Sequence, residues 1–539
     1  MAVEKLIVDH IDTWTTALQT RSTAGRGSSG KIDLYGIKKL RELILELAVR
    51  GKLVPQDPND EPASELLKRI AAEKAELVKL GKIKKPKPLP EISEEEKPFE
   101  LPVGWEWIQI SEIGHDWGQK TPDEDFTYID VGSINKEFGI IEEPSILSAK
   151  DAPSRARKIV QKGTVIYSTV RPYLLNIAII ESAFSPEPIA STAFAIIHPY
   201  TAMNANFIYY YLRSPVFINY VESCQTGVAY PAINDKQFFS GIIAVPPSSE
   251  QARITKKIKE RMSLCDQLEQ HSLTSLDAHQ QLVETLLTTL TDSQNAVELA
   301  ENWARISEHF DTLFTTEASI DALQQTILQL AVMGKLVPQD PNDSSAEILL
   351  EQLSTSRNKK LRQQQADNKE AETMLRKINK LKKAKPPFRL PNNWTTVHLI
   401  ELCEYLVDCH NKTAPYTDTG IPIIRTTNIR ERRFLEQDLK FISQETYDFW
   451  SKRCPPSPGD IIFTREAPMG EALIIPPNVK WCLGQRTMLI RVMHEFVSNE
   501  FLLLALTEPH LLERASVNAV GLTVKHLRVG DVENLNIPL

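Results

Sequence analysis

Residues 44–60 read ILELAVRGKLVPQDPND and residues 327–343 read ILQLAVMGKLVPQDPND. The two stretches differ only at Glu46/Gln329 and Arg50/Met333, at a constant offset of 283. Chance does not produce such a match, so the chain is internally duplicated and its fold must hold two related halves. Each copy spells the same local structure: an apolar-periodic helix that stops at a glycine, Gly51 or Gly334, and then an extended Pro-x-x-Pro segment. A Lys- and Glu-rich helical stretch follows in each half, Glu65 to Lys82 and Ala346 to Lys383, and then a Pro/Lys hinge. Past the hinge Phe99-Glu-Leu-Pro-Val-Gly-Trp105 matches Phe388-Arg-Leu-Pro-Asn-Asn-Trp394 at an offset of 289. Upstream, His10-Ile-Asp-Thr echoes His309-Phe-Asp-Thr.

Further along, identity fades while the pattern persists. Lys162–Pro172 lies over Pro458–Pro468, a glycine turn into a β-branched strand. Ala190–Ile197 lies over Gln485–Val492, Asn206–Pro215 over Glu500–Pro509, and Gly227–Val245 over Gly521–Leu539, with all four offsets between 294 and 296. In the third pair Tyr209-Tyr-Tyr211 stands over Leu503-Leu-Ala505, which makes those tyrosines core rather than stacking platforms. The fold class expected is α+β: two similar mixed domains, 98–248 and 386–539, separated by long antiparallel helical spacers in a pseudo-twofold repeat. Residues 1–97 form an N-terminal helical region and 249–385 a central one.

Glu250 to Leu290 breaks the symmetry, being a long helix present after the first α+β domain alone. Ile254, Ile258, Cys265, Leu268, Leu276, Val283, Leu286 and Leu290 recur at threes, fours, sevens and one eight, the stripe of a helix packed on another helix. About 40 residues of helix reach ~60 Å. The helix around Glu4 to Leu18 is expected to close the second half, giving a circular body.

Composition restricts function. With 539 residues, 42% hydrophobic and 24% charged, the chain can bury several cores. No run approaches ~18 apolar residues, and the start lacks a basic region followed by an apolar core, so a cytoplasmic location is expected. Cys224, Cys265, Cys403, Cys409, Cys454 and Cys482 show no C-x-x-C spacing, which argues against disulfides and structural zinc. Only Cys403, Cys409 and His410 cluster, and they read as buried thiols beside a surface histidine. The net charge of -8 means that any nucleic-acid contact must come from local basic patches. Gly51-Lys52 and Gly334-Lys335 lack the upstream glycine of a phosphate loop. There is no N-P-P-[YF]-like tetrapeptide for base methylation, and Glu142-Glu143 and Glu94-Glu95-Glu96 read as solvated loops. No catalytic, cofactor-binding or metal site is therefore expected.

The duplicated LAVxGKLVPQDPND element, the entries Lys97 to Trp105 and Lys385 to Trp394, and VPPSSEQARITKKI (Val245–Ile258) together resemble the specificity subunits of type I restriction–modification systems. The resemblance covers nearly the whole chain. The long N-terminal extension, and the lack of a helix after the second domain, resemble a circularly permuted branch with N-terminal and central conserved regions. It implies two target-recognition domains, each reading half of a bipartite double-stranded DNA site. It also implies two methyltransferase subunits docked on the repeats, and two translocase and nuclease subunits. S-adenosylmethionine, ATP and Mg would be held by those partners.

Residue chemistry then nominates the DNA-binding side chains, since Arg, Lys, Asn and Gln read base edges and Ser, Thr, Arg and Lys hold phosphates. In the first domain these are Arg155, Arg157, Lys158, Lys162, Arg171, Tyr173 and, in the loop Gln225 to Tyr230, Gln225, Thr226 and Tyr230. In the second they are Arg425, Thr427, Asn428, Arg430, Arg432, Arg433, Arg465, Arg486 and, in the loop Gly521 to Lys525, Thr523 and Lys525. Arg425 to Arg433 is the densest patch, and Arg171 and Arg465 take nearly equivalent places after matching strands. The competing reading is a non-catalytic interaction scaffold with a duplicated docking element, supported by the acidic net charge. A self-sufficient methyltransferase or nuclease would instead bind its cofactor alone.

Overall fold

The computed structural model describes residues 2–21, 31–84, 90–227, 230–366, 368–516 and 526–539. The chain divides into two compact units, one running to Arg21 and resuming at Lys31–Thr274, the other spanning Ser275–Leu539. Both contain helices and a mixed-sheet portion, as the α+β expectation requires.

In the first unit the helices Ala2–Asp9 and Ile11–Thr16 precede the repeated helix Tyr35–Val49. A Cβ on Gly36 would sit 2.2 Å from the Trp14 carbonyl oxygen, so only glycine permits the two backbones to approach this closely. Gly36 N donates to Ala17 O at 2.9 Å. The N-terminal segment thus packs on the helix of its own half, and Gln19–Arg21 pairs antiparallel with Lys31–Asp33 just ahead of that helix.

The repeated helix ends as its sequence dictates. Gly51 and Gly334 have φ of 66° and 69°. Lys52 N reaches Leu47 O at 2.8 Å and Lys335 N reaches Leu330 O at 2.9 Å, the six-to-one closure that satisfies otherwise orphaned carbonyls.

A 45-residue helix, Ser248–Asp292, contributes to both units. In the first unit Tyr35–Val49 runs antiparallel to it: Arg41 Nη1 donates to Asp266 at 2.8 Å, while Gln56, past the glycine stop, meets Glu250 at 2.7 Å. Ile254, Ile258 and Cys265 are fully buried there, and each aliphatic side chain so buried contributes about 1.5–3 kcal/mol. In the second unit Val283, Leu287 and Leu290 join Ile306, Leu313, Phe314, Leu323 and Leu330 in one core. Leu287, four residues after Val283, carries the seam more fully than Leu286, which packs at its margin; Leu268 and Leu276 are half-buried. Helix Ala296–Glu308 turns back antiparallel, with Asn302 Nδ2 on Thr289 O. Glu317–Val332 then runs in the same sense as the long helix, placing Leu313 O at His279 and Lys335 at Thr291 and Ser293.

Each mixed portion is built from the same sheets. The first unit orders Ile177–Ile179, Val165–Ser168, Phe194–Pro199 and Gly114–His115 side by side; the second orders Ala472–Ile474, Ile461–Thr464, Thr487–Val492 and Cys403–Asp408 in the same way. A second sheet repeats too, each copy holding a parallel pair: Phe126–Ile129 beside Pro188–Ser191 at the centre of four strands, and Ile421–Ile424 beside the edge strand Cys482–Leu483 in a sheet of three. In each unit the first and last strands of the portion pair antiparallel, Glu106–Gln109 with Ile242–Val245 and Thr396–His398 with Asn536–Pro538.

The strand register corrects one sequence match. Val165 opposes Ile197 and Ile461 opposes Ile490. Since Val165 and Ile461 are 296 apart, Ile197 corresponds to Ile490 at an offset of 293, two residues from the sequence match of Ala190–Ile197 with Gln485–Val492. A two-residue slip keeps every side chain on its face, so the apolar pattern could not reveal it.

Candidate nucleic-acid interface

In the first unit several loop ends are stitched together where the strand Val165–Ser168 finishes. Thr169 N donates to Ala193 O at 2.9 Å, Thr192 N to Arg155 O at 2.8 Å, Ile233 N to Thr169 O at 3.0 Å, and Arg171 N to Pro231 O at 2.8 Å. Thr226 and Ala232 exchange backbone hydrogen bonds, so the glycine loop returns on itself beside Arg171. Arg171 adopts a left-handed φ of 49°, a conformation that costs a non-glycine residue about 1 kcal/mol or more. Its guanidinium lies over the Tyr230 ring at 4.9 Å from the centroid, and Tyr230 is 69% exposed. Tyr173 and Arg155 are exposed at this edge, Thr226 is exposed and Gln225 half-buried. A guanidinium seated over an aromatic face keeps its forked donors available for a phosphate or a guanine edge.

The other candidates of this unit are placed differently. Lys158 is only 4% exposed and its Nζ donates to Asp235 Oδ2 at 3.0 Å, so its charge is spent inside the protein. Arg157 is half-buried and turns back to Ala156 O at 3.1 Å. Lys162 is exposed but lies in the turn that begins Val165–Ser168, at the far end of that strand from Arg171. The structure does not bring it to the edge.

The second unit builds the equivalent edge with different side chains. Arg465 N donates to Arg486 O at 2.9 Å and Leu527 N donates to Arg465 O at 3.1 Å, the two bonds that Thr169 makes in the first unit. Arg465 therefore corresponds to Thr169, and the position of Arg171 is filled by Ala467, also left-handed at φ 50°. The Arg465 guanidinium is enclosed, with Nη1 on Leu527 O at 3.0 Å and Nη2 3.0 Å from Asp408. Burial holds the Asp408 carboxyl above the ordinary aspartate value, and Arg465 opposes that rise. Arg486, at φ 70°, is 56% exposed on its side chain and pairs with Glu466 at 2.5 Å.

Sequence reasoning missed Asn411, Lys412 and Thr413, all exposed beside this edge. Gln485 Nε2 donates to Asn411 O and Thr413 Oγ1 donates to Gln485 Oε1, both at 3.3 Å. The available signal was the short likeness of Gln119-Lys-Thr-Pro122 to Lys412-Thr-Ala-Pro415.

The dense patch from Arg425 to Arg433 proves to be mainly a folded turn. Asn428 is fully buried, accepts from Arg425 N at 3.1 Å, and donates to Leu435 O at 3.0 Å and Gln437 O at 3.1 Å. Arg425 donates to Asp438 O, and Arg430 to Ile429 O and Thr426 O. Thr427, Arg432 and Arg433 are exposed, with Arg432 at the left-handed tip of a hairpin, φ 63°. Thr523 and Lys525 lie outside the described residues. Among the described residues no three His, Cys, Asp or Glu side chains converge as metal ligands would. The six cysteines are unpaired, and five of them are buried.

One scaffold built twice, with conserved backbone stitching and divergent exposed side chains along one edge, defines a duplicated recognition protein. The family model described as type I restriction modification DNA specificity domain matches residues 102–278 and 391–539. The specificity subunit of the type I restriction enzyme EcoAI of Escherichia coli is 48% identical over 523 residues, covering 93% of this chain and 86% of that one. The EcoEI specificity subunit of the same organism is 43% identical over 564 residues, covering 99% and 91%. Among solved structures, the HsdS subunit from Thermoanaerobacter tengcongensis is similar at 20% identity and a TM-score of 0.41, covering 82% of this chain and 86% of that one. The chain belongs to the type I restriction–modification specificity subunit family, and its function is DNA sequence specificity.

Proposed function

We propose that each mixed α/β domain, 98–248 and 386–539, reads one half of a bipartite double-stranded DNA site through the loop edge described above. The helical regions 1–97 and 249–385 dock two methyltransferase subunits, and two translocase and nuclease subunits join them for restriction. The chain is non-catalytic in this reading; S-adenosylmethionine, ATP and Mg belong to those partners, and the complex works in the cytoplasm. The observation that carries the proposal is the pairing of Thr169 with Arg465. Both make the same two backbone bonds, yet one edge presents Arg171 on Tyr230 and the other Arg486 with Lys412.

In the first unit Arg171, Tyr173, Tyr230, Arg155, Thr226 and Gln225 are proposed to contact DNA. In the second unit the proposed contacts are Arg486, Thr427, Arg432, Arg433, Thr523 and Lys525, with Lys412 added. Lys158, Asn428 and Arg465 hold the scaffold. A gel-shift titration with the methyltransferase partner tests this. Affinity should fall steeply with salt and differ by about 10³-fold or more between cognate and unrelated duplexes. Equal affinity for both would overturn the reading.

A further inference from the structure

The second sheet ends differently in the two units. In the first, Pro188–Ser191 is flanked by an outer strand, Ala156–Ile159, whose Lys158 is paired with Asp235. In the second, the sheet stops at Cys482–Leu483 and the helix Gln444–Trp450 packs against it, with Tyr447 and Trp450 joining Cys482, Ile423 and Ile442 in one core. Ser443 caps that helix by accepting from Thr446 N at 3.2 Å, and its last residues, Phe449 and Trp450, come just before Lys452.

Three rings meet at the end of this helix. His410 lies 4.4 Å from Trp450 and 5.5 Å from Phe449 between ring centres, and Phe449 and Trp450 are themselves 5.5 Å apart. Phe449 stays 50% exposed, and Lys452 Nζ stands over its ring at 4.6 Å from the centroid. Lys452 is exposed and has no ion-pair partner among the described residues. The charges around it are committed elsewhere: Arg453 pairs with Glu370 at 2.7 Å, and Asp448 accepts from Gln444 at 2.6 Å.

The ring cluster continues the loop edge. Lys412 N donates to His410 Nδ1 at 3.2 Å, so the exposed loop that Gln485 holds begins on the rings. Arg453 Nη1 donates to Asp408 O at 3.3 Å, and Asp408 is the carboxylate that faces Arg465.

We infer that Lys452, oriented by Phe449, holds a backbone phosphate of duplex DNA next to the bases that the Lys412 loop faces. An ammonium over a ring face keeps its outward N–H donors, and a point charge without a fork suits a phosphate better than a base edge. Phe449 is a positioning residue in this arrangement. The first unit has a strand with an internally paired lysine in the corresponding place, so the contact belongs to the second half-site alone. The inference rests on the reading that the loop edge of the second unit meets DNA.

The full chain, assembled with the proposed methyltransferase partner, is titrated across a range of salt with two duplexes, one carrying the methylated motif and one unrelated. Lys452→Ala should weaken both by the same factor, about fivefold to tenfold at low salt, and lower the slope of log affinity against log salt by about 1. Lys452→Arg should keep the parent slope, and the methylated motif should be the same in every variant. Phe449→Ala should lower the slope in part, and Phe449→Tyr should restore it. Lys480→Ala removes an equal charge at the other end of the helix, where Lys480 Nζ donates to Gln444 at 2.8 Å, and should leave the slope at the parent value. A parent slope in Lys452→Ala, while the parent still discriminates between the duplexes, would overturn the inference and spare the edge. An equal drop in Lys480→Ala would overturn it too, as would an altered motif or loss of the partner subunit in Lys452→Ala. A parent protein with no preference between the duplexes would overturn the edge reading and this inference together.

Discussion

The Arg171 guanidinium carbon stands 4.9 Å from the centre of the Tyr230 ring, joining two loops that are 59 residues apart. Arg171 holds a strained left-handed backbone to do so. Replacing it with glycine relieves that strain while deleting the guanidinium. We predict that Arg171→Gly retains or slightly raises thermal stability, and weakens cognate DNA binding by about 1–3 kcal/mol, the worth of a forked base contact. Parallel melting and gel-shift curves check this; unchanged affinity would remove Arg171 from the reader.

Lys158 and Asp235 behave in the opposite way. Asp235→Asn strands a nearly buried ammonium, so it should cost about 2–4 kcal/mol of stability, toward the lower end because Asp235 is half in solvent. It should leave the salt dependence of DNA binding unaltered. Arg155→Ala should do the reverse, lowering the slope of log affinity against log salt by about 1 with stability intact. Denaturant melts and salt titrations of the two variants separate these roles.

Asp408 supplies a pH signature. Its carboxyl is held above 3.8 by burial, and Arg465 counteracts the rise. A group whose pKa is raised on folding binds more protons folded than unfolded, so its contribution falls as pH climbs from 3.8 through the raised value. Arg465→Met removes the counteracting charge and moves that window higher. Melting temperatures across pH 5 to 8 should therefore fall more steeply for Arg465→Met than for the parent, and Asp408→Asn should flatten the profile.

The glycine stops give a graded test. Gly81→Ala, at φ 69° with open space around it, should cost about 1 kcal/mol. Gly51→Ala combines a similar φ with a Cβ 2.5 Å from Pro102, so it should cost more. Equal losses in denaturant melts would count against the packing argument.

The duplication made much of the fold legible, because a helix stop followed by two prolines has one local solution and recurs in both halves. The paired strands were legible for the same reason. The two-residue slip at Ile197/Ile490 was hidden by the two-residue pleat period, and the choice of Leu287 over Leu286 by the closeness of neighbours on a helical stripe. The interface was harder to read. Charge density pointed to Arg425 and Asn428, whereas backbone bonding shows that they pin a turn. Arg465 takes a place near that of Arg171 after matching strands, and the loop hydrogen bonds align it with Thr169, two residues earlier, as the offset of 296 does. A side chain's commitments to its own fold are set by tertiary contacts, and these leave little trace in residue type.

Mapping methylated positions in a host carrying this gene together with the proposed methyltransferase partner tests the central claim most directly. The motif should be split into two short halves separated by unspecified bases. Variants at Arg171 and Tyr230 should alter one half only, and variants at Lys412 and Arg486 the other half only. An undivided motif, or either variant set altering both halves at once, would contradict two edges reading two half-sites.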